Sequence, residues 1–273
     1  LKLSEGYLIM NGLDFPDISP VIFSAGPISV RWYSMAYLLG IIIGWVLINR
    51  NVRKNNLGIS KEQIEDFVFY LTLGIVAGGR IGYVLFYGGS SFWHNPLQIF
   101  EVWKGGMSFH GGVLGVIAAT WYFSRKINYK FLALTDLIVL YAPIGICFGR
   151  IANFINDELW GRVTTVPWAV KFPSGGYLPR HPSQLYEAFF EGLIMFLVLN
   201  ILWRYQWVRK REGFVSALFV IFYGIFRISM EQFREPDAQM GFYFGGITMG
   251  QILSVPLIVL GAGVIFYLSR KKV

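Results

Sequence analysis

Seven stretches of this chain are long and apolar enough to cross a lipid bilayer: Trp32 to Ile48, Phe67 to Tyr87, Met107 to Phe123, Phe131 to Ile155, Leu185 to Trp203, Phe214 to Phe233 and Ile247 to Leu268. Spanning the hydrocarbon layer takes about twenty mostly apolar residues. Inside it the backbone must satisfy its own N–H and C=O groups, so such stretches become helices. With 55% of its 273 residues hydrophobic and 18% aromatic, the chain has too little polar surface for a soluble domain of that length. The expected class is all-α: a polytopic integral membrane protein of about seven transmembrane helices, forming a single domain over residues 1–273. No fixed-period repeat is present. The first nine residues, LKLSEGYLI, carry no starting methionine. Met10 is a candidate start, and this leader is kept out of the fold argument.

Charge between the spans sets the expected orientation. Alternate connections hold fourteen cationic residues, among them Arg50, Lys61, Arg125, Lys130, Arg209 and Lys272, whereas the opposite connections hold seven. The C-terminus is therefore expected in the cytoplasm and the N-terminus outside. The formal net charge of +8 is scattered between apolar blocks, which argues against nucleic acid as a partner. The longest connection, 156–184, is rich in proline and glycine and reads as a non-cytoplasmic ordered loop or small cap between spans four and five. Cys147, the single cysteine, excludes an intramolecular disulfide. His94, His110 and His181 lack metal-ligand spacing, so no metal is expected, and no organic cofactor either.

An ionisable residue within a bilayer costs about 2.5 to 3.5 kcal/mol on insertion scales and needs a reason to be there. With the expected orientation, Arg80, His110, Arg150, Asn153, Glu187, Glu191, Arg227, Glu231 and Arg234 all fall toward the outer ends of their spans, level with Tyr33 and Tyr37. One polar layer built from several helices points to a site opening to the outer leaflet. The competing reading is that these charges only tie helices together, Arg227 and Glu231 being spaced i, i+4. Glycine surrounds several of them, in GGRIGY (78–83), GGMSFHGG (105–112) and FGRIANFINDELWG (148–161). In lipid such glycines permit close helix packing, or leave backbone N–H groups facing an anion.

The run from Gly149 to Gly161 fits the signature G-R-x-[GA]-N-F-x-N-x-E-x-x-G. Together with GGMSFHGG, RHPSQLYE (180–187) and FRISMEQFREPD (226–237), it resembles the bacterial prolipoprotein diacylglyceryl transferases from about Pro20 to Ser269. Asp157 stands where that pattern more often has glycine. The resemblance implies an enzyme, a transferase of lipoprotein biosynthesis. It moves the diacylglyceryl group of phosphatidylglycerol, a membrane lipid, to the lipobox cysteine of a preprolipoprotein signal peptide, releasing glycerol 1-phosphate.

Carried over by resemblance, the site residues are Tyr33, His110, Arg150, Asn153, Glu158, Gly161, Tyr223, Arg227 and Glu231. His110 is the candidate base, with Arg150 as a competing activator of the thiol. Arg150 and Arg227 are expected at the phosphate, since planar guanidinium forks suit it. Asn153, Tyr33 and Tyr223 are expected to position the head group, and Glu158 and Glu231 to hold the arginines. A small-molecule transporter is the alternative from another class, but neither midplane charges nor pseudo-repeats are seen. A non-catalytic scaffold leaves the embedded charges unexplained.

Overall fold

A computed structural model describes residues 12–26, 28–88, 95–101, 105–236, 243 and 246–270. The leader and His94 lie outside the described residues. The helices are α1 (Trp32–Asn55), α2 (Lys61–Tyr87), α3 (Phe109–Lys126), α4 (Phe131–Val139), α5 (Ala142–Ile155), α6 (Ser183–Glu187), α7 (Met195–Trp203), α8 (Gln206–Arg209), α9 (Phe214–Met230) and α10 (Met249–Arg270). A π-helical turn, Ala188–Ile194, joins α6 to α7 without a break. The helical class holds, and the protein is a multi-pass membrane protein. Five helical segments meet the length and apolarity of a span: Trp32–Asn55, Lys61–Tyr87, Phe131–Ile155, Ser183–Trp203 and Met249–Arg270, with Phe214–Met230 a shorter apolar helix. Alongside the helices, β2 (Val21–Ala25) pairs with β3 (Ile28–Arg31) as a hairpin, and β1 (Leu13–Asp14), β4 (Val170–Lys171) and β5 (Pro179–Arg180) form a small sheet in the order β1-β4-β5.

The chain divides into two compact units, Leu1–Gly40 with Val139–Val273, and Ile41–Ile138. The second is organised by α2 against α3. Ser60 caps α2 reciprocally: its Oγ accepts from Gln63 N at 3.2 Å while its own N–H donates to Gln63 Oε1 at 2.9 Å. Gly74, Gly78 and Gly82, one per turn of α2, face Gly111 and Gly115 of α3 so closely that a Cβ at either α3 position would strike α2 backbone. Without a hydrophobic drive between helices in lipid, this contact is what gives dispersion its full strength. Gly78 and Gly82 of GGRIGY and Gly111 of GGMSFHGG are thereby assigned to helix packing. Toward the other end, Phe67 stacks on Phe123 with ring centroids 5.0 Å apart.

In the first unit the fourth apolar stretch is broken between α4 and α5, where Pro143 enters the first turn of α5. The carbonyl of Leu140, freed by the break, accepts from Asn200 Nδ2 at 3.0 Å. A polar side chain from a neighbouring helix thus satisfies backbone that lipid would leave bare. The 156–182 connection holds β4 and β5, bridged by Val163 to Arg180 and by Gly161 to Arg234.

Candidate active site

Three helical faces of the first unit carry the charges. On α5, Arg150 lies three residues after Cys147, on the same face. An added Cβ at Gly192 would stand 2.5 Å from the Cys147 Cβ, so only glycine lets the π-helical turn approach α5 this closely. That approach brings Glu187 and Glu191, four residues apart in the fifth apolar stretch, within reach of Arg150. The third face, on α9, holds Tyr223 and Arg227 at i, i+4, with Glu231 four residues further at the helix end.

The result is a cluster of three arginines and three glutamates. Arg150 Nε lies 2.9 Å from Glu187 Oε2 and its Nη2 3.3 Å from Glu191 Oε2. Arg227 Nη1 meets Glu187 Oε1 at 2.8 Å and its Nη2 meets Glu231 Oε2 at 2.8 Å. Arg234 Nη1 completes the group at 3.6 Å from Glu187 Oε1. Glu187, fully buried, therefore touches all three cations. The balance of three against three matters because an isolated ion of this size costs several kcal/mol when taken out of water. The cluster nevertheless keeps an open edge: the side chains of Arg150 and Arg227 are 17% and 14% exposed. Arg150 Nη1 has no protein partner among the described residues. Glu191 Oε1 is buried with no hydrogen-bond partner among the described residues.

Beside the cluster lies a polar array. Asn153 Nδ2 donates to Glu158 Oε1 at 2.7 Å, and Asn156 Nδ2 to the same oxygen at 3.2 Å. Glu158 thus takes two amides and, among the described residues, no arginine. Glu187, Glu191 and Glu231 hold the cations. Tyr33 reaches Tyr37 hydroxyl to hydroxyl at 3.4 Å and, with Arg31, Ser34, Asn156 and Glu158, lines a cavity of about 260 Å³. Tyr223 stands within electrostatic reach of Glu191, Arg150, Arg227 and Glu187. Gly161 has a backbone reason: a Cβ there would lie 2.5 Å from the carbonyl oxygens of both His181 and Phe233. His181 follows in the same connection, and burial pushes its imidazole below the ordinary histidine range. The Tyr186 hydroxyl accepts from Trp168 Nε1 at 2.6 Å and sits 3.2 Å from His181 Nδ1, placed to donate to the neutral ring.

Two expected site residues belong to the other unit. His110 is exposed in the first turn of α3, edge-on to Phe109. Arg80 is buried and donates to loop carbonyls, to Ile99 O at 2.9 Å, Gly105 O at 2.6 Å and Gln98 O at 2.5 Å, which ties the loop to α2. Glu187, Glu191 and Arg234 join the site beyond the residues that the resemblance implies. The sequence marks the first two as carboxylates opening the fifth apolar stretch and Arg234 as a cation ending the sixth, without showing which would meet which.

A family model described as prolipoprotein diacylglyceryl transferase matches residues 20–267. A protein of Pseudoalteromonas translucida named phosphatidylglycerol–prolipoprotein diacylglyceryl transferase is 52% identical over 262 residues, covering 95% of this chain and 96% of that one. One of the same name from Rickettsia felis is 50% identical over 250 residues, covering 92% and 96%. Matched by that model along nearly its whole length and about half identical to relatives of that name, this chain belongs to the prolipoprotein diacylglyceryl transferase family.

Proposed function

We propose that this chain is a phosphatidylglycerol–prolipoprotein diacylglyceryl transferase that forms a thioether on the lipobox cysteine of a preprolipoprotein signal peptide. The thiol loses its proton, the sulfur attacks the glycerol carbon bearing the phosphate, and the carbon–oxygen bond breaks with its electron pair going to the phosphate of glycerol 1-phosphate. A free thiol titrates near 8.5, so the reaction gains from a proton acceptor and from stabilising the departing phosphate. The observation that carries the reading is the neutral arginine–glutamate cluster with exposed guanidinium edges. A phosphodiester can add to those edges through charge-assisted hydrogen bonds without either arginine having been left bare in its absence.

In this reading Arg150 and Arg227 hold the phosphate, Tyr33, Asn153 and Tyr223 position the lipid head, Glu158 orients Asn153, Glu231 orients Arg227, and Gly161 keeps its loop close. His110 as thiol base rests on its exposure and on the resemblance of its segment. Purified protein given phosphatidylglycerol and a lipobox peptide should yield thioether product, and His110→Gln should be nearly inactive. Absence of product from the unaltered protein would end the enzyme reading. Turnover retained by His110→Gln would reduce that residue to positioning.

Placement in the inner membrane, with the C-terminus cytoplasmic and the site toward the outer leaflet, is supported by the fourteen-to-seven loading of cationic residues. Adding Phe109–Lys126 and Phe214–Met230 to the five long segments gives seven crossings. A reporter fused after Lys272 should stay cytoplasmic and one inserted within 173–177 should be exported. Export of the C-terminal reporter would invert the topology.

A further inference from the structure

Arg162 follows Gly161 in the connection between α5 and α6 and reaches across to the turn that ends α9. Its main-chain N–H donates to Phe233 O at 2.8 Å, its Nε to Arg234 O at 3.0 Å and, at a longer 3.4 Å, its Nη2 to Glu231 O. One residue therefore holds three of the four carbonyls from 231 to 234, just past the last turn of α9, where the helix itself supplies no partner. Arg162 is in turn fixed from behind. Its carbonyl accepts from His181 N at 3.0 Å, and the bridges of Gly161 to Arg234 and of Val163 to Arg180 flank it.

Two members of the charge cluster hang from that turn. Glu231 Oε2 meets Arg227 Nη2 at 2.8 Å, and Arg234 Nη1 lies 3.6 Å from Glu187 Oε1. Both side chains are buried. On its far side Glu231 is walled by α10, where a Cβ added at Gly250 would stand 2.9 Å from Glu231 Oε2. The carboxylate thus has little slack to follow a displaced turn and still meet Arg227. Any cation is favourable near a helix C-terminus, but the two carbonyls taken by Nε and Nη2 need a planar fork. We infer that Arg162 is a positioning residue for the transfer: through the backbone of 231–234 it sets Glu231 against Arg227, so that Arg227 presents its guanidinium to the phosphate. The inference rests on the phosphate-holding role given to Arg227 above. Arg162 itself grips the turn, and its effect on the departing phosphate passes through Glu231 and Arg227.

The test uses the full chain in detergent, assayed with phosphatidylglycerol and a lipobox peptide. Arg162→Lys keeps the positive charge at the helix end but not the fork. Its kcat should fall about tenfold, the scale of a lost hydrogen bond to a charged group. Its KM for phosphatidylglycerol should change less than about threefold, a split that marks lost transition-state stabilisation rather than lost folded protein. In a Glu231→Gln background the same substitution should cost about threefold or less, because residues that act through one another are not additive. A folded Arg162→Lys with unaltered kcat would overturn the inference alone, as would the full loss repeated in the Glu231→Gln background. A loss confined to the KM for phosphatidylglycerol would place Arg162 on the lipid and overturn it too. Should Arg162→Lys fail to accumulate, Arg162→Gln is read in the same way; failure of both would make Arg162 a folding residue and end the positioning role. No product from the unaltered protein would remove the transferase reading, and this inference with it.

Discussion

Glu187→Gln should destabilise the protein and nearly silence it. Glu187 is fully buried and touches Arg150, Arg227 and Arg234 at 2.9, 2.8 and 3.6 Å. Neutralising it leaves three cations facing two carboxylates around a fully buried side chain. Removing one partner of a buried ion pair typically costs about 3–5 kcal/mol, because the orphaned charge keeps its desolvation penalty. Glu191→Gln should be milder, since among the described residues Glu191 forms an ion pair with Arg150 alone, at 3.3 Å. Thermal unfolding in detergent and turnover should be followed together for both variants. Adding Arg234→Met to Glu187→Gln restores the charge balance and should recover part of the lost stability, which a purely steric defect would not allow. If Glu187→Gln matched the unaltered protein in both measurements, the cluster would not be the electrostatic centre described here.

Arg150→Lys and Arg227→Lys should each lower turnover by at least about two orders of magnitude, the loss found when a comparable oxyanion donor is deleted. The structure gives a reason specific to this chain. Arg227 spreads its two terminal nitrogens over two different carboxylates, Glu187 and Glu231. Arg150 uses Nε and Nη2 for its own pair and keeps Nη1 unengaged by the protein among the described residues. A lysine offers one compact ammonium in place of the planar fork, so it cannot reproduce the two-armed geometry that holds a carboxylate and presents a second edge to a phosphate. The departing phosphate gains charge as the carbon–oxygen bond breaks, so the loss should fall mainly on kcat, with a smaller change in phosphatidylglycerol affinity. Turnover and lipid binding measured side by side decide it. Near-normal turnover in both lysine variants would confine the arginines to helix pairing.

Gly161 and Asp157 show where a motif is legible before its reason is. The spacing from Gly149 to Gly161 carries the resemblance outright, but a glycine at 161 is required by two carbonyl oxygens, of His181 and Phe233, that no local pattern places there. The more usual glycine at 157 becomes understandable once that residue is seen at φ 55°, a conformation aspartate tolerates better than most. Arg80 ran the other way: level with the site by its position in the sequence, it turns out to hold loop carbonyls.

The apolar runs by themselves determined the helical membrane class, because lipid offers the backbone no partner but itself. They also placed Arg150 with Asn153, and Tyr223 with Arg227 and Glu231, on single helical faces, since i, i+3 and i, i+4 neighbours share a face whatever surrounds them. Apart from the i, i+4 pair of Arg227 with Glu231, tertiary structure decided which carboxylate meets which arginine. Those pairings depend on the π-helical turn at Ala188–Ile194, on the close seat of Gly192 against Cys147, and on the break before Pro143 that Asn200 makes tolerable. The last two are contacts between segments more than forty residues apart, settled by packing rather than by any local preference of the chain.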